Sequence, residues 1–369
     1  MLLDTSAKTI EGVTQLTDFF SYRFAGESLV HREYVSVAPG SYQYLIHPSE
    51  RSLSWLSNRV DGHSYRRRIA SLGINALGST QPSLLGSVPG VRSVTLEVPR
   101  TCQFDIAVVG MRIKVIDYRR ERVYTLPLAR EHHENIHEEV RTRRNLPPSI
   151  DTPRVLDADD TFPYFVEELC DGRTPSNVVE DWDILREGLR QLTPLHRETR
   201  SVWVPTEEAI DQAFEALAAS ELSNDPVVNH TRTFLDQHTL PNELRRSRIH
   251  GDFQTGNLIV QDDRVIILDW ESSRIDLVLV DLFDPFKRHS IESDDGGPLA
   301  DLILRTGAFR AISDDLRTGF GPLAWGDNTY YPALPVVYLL LQLAHDPPES
   351  THSRNPVYEL LVDVLADVM

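Results

Sequence analysis

Two periodicities run through the chain and mark most of its elements. Phe104-Asp105-Ile106-Ala107-Val108-Val109 and Arg112-Ile113-Lys114-Val115-Ile116 flank Gly110-Met111 and predict a β-hairpin. Short apolar runs at Tyr42-Gln43-Tyr44-Leu45-Ile46, at Phe162 to Leu169, at Asn257-Leu258-Ile259-Val260 and at Arg264-Val265-Ile266-Ile267-Leu268 predict further strands. Helical spacing marks Thr9 to Phe24, Ser49 to Leu72 (Leu53, Leu56, Val60), about 130–145, and the polar stretch 206–245 with Glu207, Glu208, Asp211 and Glu215. Val336-Val337-Tyr338-Leu339-Leu340-Leu341 is far too short to span a bilayer and predicts a buried helix near the C-terminus. Ser79 to Gly90 is rich in Ser, Gly and Pro and reads as a linker. Neither an internal repeat nor a dinucleotide or Walker A glycine fingerprint is present.

One loop carries the chemistry. His250-Gly251-Asp252-Phe253-Gln254-Thr255-Gly256-Asn257 precedes the strand 257–260, and the next strand delivers Asp269-Trp270-Glu271. This places an Asp and an Asn in one tight loop and a second Asp after a hydrophobic strand. Phosphoryl transfer from a nucleotide uses such a set: one carboxylate to orient the acceptor hydroxyl, and two oxygen ligands for Mg²⁺. A hairpin in which Asp, Gly and Asn merely form the turn leaves the Asp-Trp-Glu block without a reason.

In its residues and order the pattern resembles the aminoglycoside phosphotransferase/choline kinase-like family: H-G-D-x-x-x-x-N, an apolar strand ending in Leu268-Asp269-Trp270-Glu271, then Asp281-Leu282. The resemblance covers roughly residues 90–345. It implies an α+β, two-lobed protein-kinase-like fold with a small β-rich N-lobe, a larger α-rich C-lobe and an N-terminal extension. The expected divisions are 1–85 for the extension, 86–170 for the nucleotide-binding lobe and 171–369 for the catalytic and acceptor-binding lobe.

The resemblance also implies roles. Asp252, with His250, is the expected catalytic pair, and Asn257 and Asp269 the Mg²⁺ ligands. Lys114, inside an apolar strand, matches the lysine that grips the α/β-phosphates of ATP or GTP. Glu139 is expected to pair with it from the helix at 130–145, with Glu138 and Glu134 as alternatives. Glu167, Glu168 and Leu169 fall where the chain enters the hinge, whose backbone holds the nucleotide base. Leu192-Thr193-Pro194-Leu195-His196 matches a packing landmark, with no chemistry assigned to His196. The family's glycine-containing phosphate loop would fall at Val98-Pro99-Arg100-Thr101-Cys102-Gln103, which has no glycine; Gly86 to Gly90 is the other candidate. That departure leaves a nucleotide-binding pseudokinase with a regulatory role as an alternative.

A second motif points elsewhere. His133-Glu134-Asn135-Ile136-His137 spells H-E-x-x-H on the helix expected at 130–145 and could hold Zn²⁺ as in a metallopeptidase. Its flanks, Arg130-Glu131-His132 and Glu138-Glu139-Val140-Arg141, are charged, which favours a solvated helix face.

Composition adds a separate message. Asp and Glu number 55 against 37 Lys and Arg, for a formal net charge of −18. Only Lys8, Lys114 and Lys287 are lysines; the other 34 basic residues are arginines. An acidic, Lys-poor surface suits a hypersaline cytoplasm, because lysine stems expose apolar area and salt screens carboxylate repulsion. An ordinary acidic protein from a GC-rich genome, with Arg over Lys by codon bias, is the alternative. The saline reading predicts a thermal unfolding midpoint that rises from about 0.1 M to several molar KCl; a flat or falling midpoint would remove it. No basic stripe exists to neutralise a nucleic acid backbone. With Cys102 and Cys170 as the only cysteines, no disulfide framework is implied. Met1-Leu2-Leu3-Asp4 lacks the basic start and long apolar run of a leader. The expectation is a cytoplasmic enzyme without membrane partner, using a nucleotide and a small-molecule acceptor, its oligomeric state unspecified.

Overall fold

The structure, a computed structural model, describes residues 15–37, 43–46, 92–100, 104–109, 111–198, 201–223, 225–293, 297–347 and 355–368. The helix expected at 49–72, the linker at 79–90 and residues 101–103 of the expected phosphate loop lie outside the described residues. The chain divides into two units: residues 1–145 with 152–172, and residues 146–151 with 173–369.

The first unit is built on an antiparallel sheet. Its strands are β1 (Leu29–Val37), β2 (Gln43–Ile46), β3 (Arg92–Pro99), β4 (Phe104–Val109), β5 (Arg112–Asp117), β6 (Arg122–Pro127), β7 (Val155–Asp159) and β8 (Tyr164–Glu168). Their order is β3-β1-β2-β4-β5-β6-β8-β7. Helix α1 spans residues 15–23, and α2 spans His133–Arg144 between β6 and β7. The period-two alternation of the strands decides what each face meets. Ile113 and Val115 of β5, Tyr124 and Leu126 of β6, and Tyr164 and Val166 of β8 are buried in one cluster with Leu16, Phe19 and Phe20 of α1. Those three positions, at i, i+3 and i+4, make the apolar stripe of that helix. The opposite face carries Phe165, which packs with Ile136 and Val140 of α2.

Two sequence expectations change here. Residues 29–46, set apart as part of an extension, supply β1 and β2, which hydrogen-bond within the sheet: β1 pairs along its length with β3, and β2 joins β1 to β4. The strand carrying Lys114 does not lead directly into the helix. Asp117 folds the chain back by accepting the N–H groups of Arg119 and Arg120 at 3.0 and 3.1 Å. Glu121 turns at a positive φ of 54°, and β6 follows. The dense charge of Arg119 to Arg122 hides this turn in the sequence, and Pro127 shortens the apolar signal after it.

The second unit is helical around two small sheets. It comprises α3 (Trp182–His196), β9 (Val202–Pro205), α4 (Thr206–Ala218), α5 (Pro226–Asp236), β10 (Glu243–Ile249), β11 (Leu258–Gln261), β12 (Arg264–Ile267), β13 (Arg274–Leu277), α6 (Leu279–Ser293), α7 (Gly297–Leu304), α8 (Phe309–Asp315), α9 (Gly321–Ala324), α10 (Leu334–His345) and α11 (Pro356–Val368). One sheet runs β13-β10-β9; the other is the β11-β12 hairpin. Leu185, Leu189, Leu192 and Leu195 of α3 form one fully buried stripe. Helix α10 is buried around most of its circumference, as its unbroken apolar run requires. Among the described residues no helix is long and apolar enough to cross a membrane. The mixed α+β architecture, a β-rich first unit followed by a helix-rich second, is the one expected.

Candidate active site

The H-G-D-x-x-x-x-N loop connects β10 to β11. Gly251 opens it with φ of +84°, where a Cβ would lie 2.2 Å from the carbonyl oxygen of Ser272. Only glycine avoids both the left-handed strain and that overlap. Gly251→Ala should therefore lower stability by more than about 2 kcal/mol and shift the adjoining Asp252. Thermal melts and turnover on the same sample check this; an unchanged midpoint with full activity would contradict it.

Past Gly251, amide groups fix the Asp252 carboxylate. Gln254 Nε2 donates to both of its oxygens at 3.0 Å, and Asn257 Nδ2 donates to Oδ2 at 2.9 Å. Asn257 Nδ2 also donates to the Asp252 carbonyl at 2.8 Å. These bonds hold the nitrogen end of the Asn257 amide, so its oxygen is directed away from Asp252.

The hairpin register returns the chain from Asn257 to the residue before the second aspartate. Asp262 and Asp263 turn with φ of 49° and 63°, the left-handed pair a two-residue hairpin needs. Leu258 then faces Ile267, and the Leu268 N–H donates to the Asn257 carbonyl at 2.8 Å. Asp269 follows at φ 60°, ψ 69°. A left-handed non-glycine residue is strained, and Asp bears it better than most. Such outliers cluster where function holds them.

Beneath the loop lies a buried brace. Asp281, in the first turn of α6, accepts the N–H of His250 and of Gly251, each at 2.9 Å, and pairs with His196 Nε2 at 2.9 Å. Burial would push the Asp281 carboxyl up, but the His196 hydrogen bond, the charges of His196 and His250 and the backbone donors hold it below the usual carboxylate range. His250 is wholly buried, and its Nε2 bonds to the Leu268 carbonyl at 2.8 Å. Its ring lies edge-on to Trp270, with centroids 4.7 Å apart. The ring of His250, a residue expected from the sequence to be catalytic, ties the loop to the Leu268 carbonyl just after β12. His196 and Gln254, given no chemistry in the sequence reading, both belong to this scaffold.

A second buried carboxylate, Asp284, stands one helical turn after Asp281. It receives Lys287 Nζ at 2.7 Å and the Tyr338 hydroxyl. Burial raises its carboxyl above the ordinary value even against the pull of Lys287, and Asp252 adds to the rise.

In the first unit, Lys114 lies on the β5 face that carries Arg112, opposite the Ile113 and Val115 core face. Glu139, buried in α2, pairs with Arg112 and, at 3.6 Å, with Arg143. Arg143 also reaches Glu167 at 2.5 Å. Of the hinge candidates, Glu168 pairs with Arg154 at 2.9 Å. The N–H groups of Glu168 and Leu169 donate to the carbonyls of Arg154 and Glu121 at 3.1 and 2.9 Å. Both N–H groups are thus already used within the first unit.

The H-E-x-x-H string opens α2, where His137 meets Asp160 at 3.3 Å. Among the described residues no group of three or more His, Cys, Asp or Glu is arranged to hold a metal ion.

Asp252 is braced by Gln254 and Asn257, on a helix-rich unit that follows a β-rich one in the chain. The chain belongs to the phosphotransferase enzyme family, whose profile matches residues 112–315, more than half of its length. Solved structures with similarity include the ADP-bound aminoglycoside phosphotransferase APH(2'')-Ib, at 13% identity over 71% of this chain and 92% of that one, TM-score 0.37. Macrolide 2'-phosphotransferase type I is 14% identical over 72% and 90%, TM-score 0.42. A choline/ethanolamine kinase family protein from Mesorhizobium loti is 18% identical over 71% and 90%, TM-score 0.33. A search of curated proteins found no significant match.

Proposed function

We propose that this phosphotransferase is a small-molecule kinase that moves the γ-phosphoryl group of ATP or GTP to a hydroxyl of a metabolite or antibiotic-like acceptor. The observation that carries this reading is the fixed pairing of Asp252 with Asn257, and of Asn257 with the residue before Asp269. Asp252 orients the acceptor hydroxyl and takes its proton as the new O–P bond forms and the β–γ bridge bond breaks. Gln254 and Asn257 keep its carboxylate in one rotamer throughout. Because the transition state is loose, positioning and charge neutralisation supply most of the rate.

Mg²⁺ fits the residues present. Asp269 and the amide oxygen of Asn257 are hard oxygen donors, the type this ion prefers, and Asn257 has its nitrogen tied to Asp252. Bound there, the ion would neutralise charge on the transferring phosphates. Lys114 is the candidate for a further cation that binds nucleotide phosphate.

The strand order also bears on the phosphate loop. Counting back from α2, the three strands before it are β6, β5 and β4. Between the first two of these the sequence has Gly110, which offers a candidate glycine one strand later than 98–103. The chief reason for the pseudokinase alternative is thereby weakened.

The test is a screen of hydroxylated metabolites and aminoglycoside- or choline-like compounds, monitoring ATP and GTP consumption with Mg²⁺ in molar KCl. Acceptor-dependent consumption is expected. Consumption that no acceptor stimulates, or none at all, would count against a kinase.

A further inference from the structure

In kinase-like folds the phosphate-gripping lysine belongs to the third strand, and the helix bearing the paired glutamate packs against that sheet. Here the strand before the helix is β6, Arg122-Val123-Tyr124-Thr125-Leu126-Pro127, which has no lysine. Its residues divide by face. Tyr124 and Leu126 enter the α1 core, so Thr125 lies on the α2 face. Thr125 is wholly buried, and its hydroxyl has no hydrogen-bond partner among the described residues. A buried hydroxyl left in that state asks for an explanation.

The register supplies one. Lys114 on β5 is the direct cross-strand partner of Thr125. Opposed residues share a face with Cβ atoms about 5 Å apart. The flexible four-carbon lysine stem covers such a distance. Two residues before Lys114 on the same face, Arg112 holds Glu139, and Arg143 holds it from within α2. The glutamate is thus anchored by two arginines, whose planar guanidinium groups suit a buried carboxylate.

We propose that the phosphate-gripping cation of this protein has moved one strand across the sheet, Lys114 on β5 serving the position that β6 gives to Thr125, while Arg112 anchors the helical Glu139. The proposal rests on the phosphotransferase reading and specifies how that site meets phosphate. It makes Thr125 the place where a lysine can be restored. Arg112 is a positioning residue, and Lys114 touches the nucleotide.

The experiment is a strand exchange. Wild type, Lys114→Thr, Lys114→Met, Thr125→Lys and the double variant Lys114→Thr/Thr125→Lys are titrated with Mg-ADP and Mg-GDP by calorimetry in molar KCl, after thermal melts confirm folding. Loss of one charge-assisted contact should weaken binding about tenfold or more in Lys114→Thr and Lys114→Met. The double variant should recover most of that loss. Binding by both single Lys114 variants at the wild-type level, or a double variant as weak as Lys114→Thr, overturns the relocation while leaving the phosphotransferase reading intact. Absence of Mg-ADP and Mg-GDP binding by the wild type overturns both.

Discussion

Asp252→Asn should lower kcat by about 10²- to 10⁴-fold, the range that general acid–base groups contribute, while Mg-nucleotide binding stays near the wild-type level. The substituted amide keeps the shape of the side chain but cannot accept the acceptor's proton. It also meets the Gln254 and Asn257 amide nitrogens, which all donate, with one oxygen where the carboxylate has two. Asp269→Asn should behave differently. Asn tolerates the left-handed backbone at 269 about as well as Asp does, so the hairpin end should hold. The loss is a charged oxygen ligand, and nucleotide affinity should fall specifically when Mg²⁺ is present. Calorimetric titration beside steady-state turnover separates the two. Nucleotide binding abolished by Asp252→Asn and untouched by Asp269→Asn would reverse the roles.

Asp281→Ala should be the most destabilising single change in the second unit. It strands two backbone N–H groups, one of them buried and one half-buried, and the buried His196 imidazole. Breaking a buried, hydrogen-bonded pair from one side costs about 3–5 kcal/mol. Turnover should fall further than the folded fraction, because the same carboxylate sets the His250–Gly251 backbone from which Asp252 projects. The pH dependence has a definite sign. The carboxyl is held below its ordinary value in the folded protein. Its stabilisation is therefore complete above the unfolded carboxylate range and is lost as pH falls through the lowered folded value. Acid unfolding followed by circular dichroism should show this loss in wild type and a flatter acid limb in Asp281→Asn. Equal acid limbs would mean that Asp281 does not brace the loop.

What could be read without coordinates was whatever lies close together along the chain. His250 to Asn257 and Asp269 are joined by one hairpin, so their spacing alone encodes the bond from Leu268 back to Asn257. Glu139 could be placed on its helix, but its arginine partners could not be read. Arg112 and Lys114 share a strand face, and only the packing of α2 shows that Arg112 reaches Glu139. The His196–Asp281 pair joins residues 85 apart, and nothing local in L-x-x-L-H announces it. Strand β6 was missed because four charged residues surround its turn. Residues 29–37 pair with 92–99, a long-range register that local periodicity does not contain.

The most direct measurement follows the phosphoryl group itself. Wild type and Asp252→Asn are incubated with Mg-ATP or Mg-GTP carrying an isotopic label on the γ-phosphoryl group, together with a pool of hydroxylated small molecules in molar KCl, and the products are resolved by mass spectrometry. Phosphorylated acceptor should appear in equal amount to the nucleoside diphosphate, and both should all but vanish with Asp252→Asn. Nucleoside diphosphate released without labelled acceptor, or transfer undiminished in Asp252→Asn, would contradict the account.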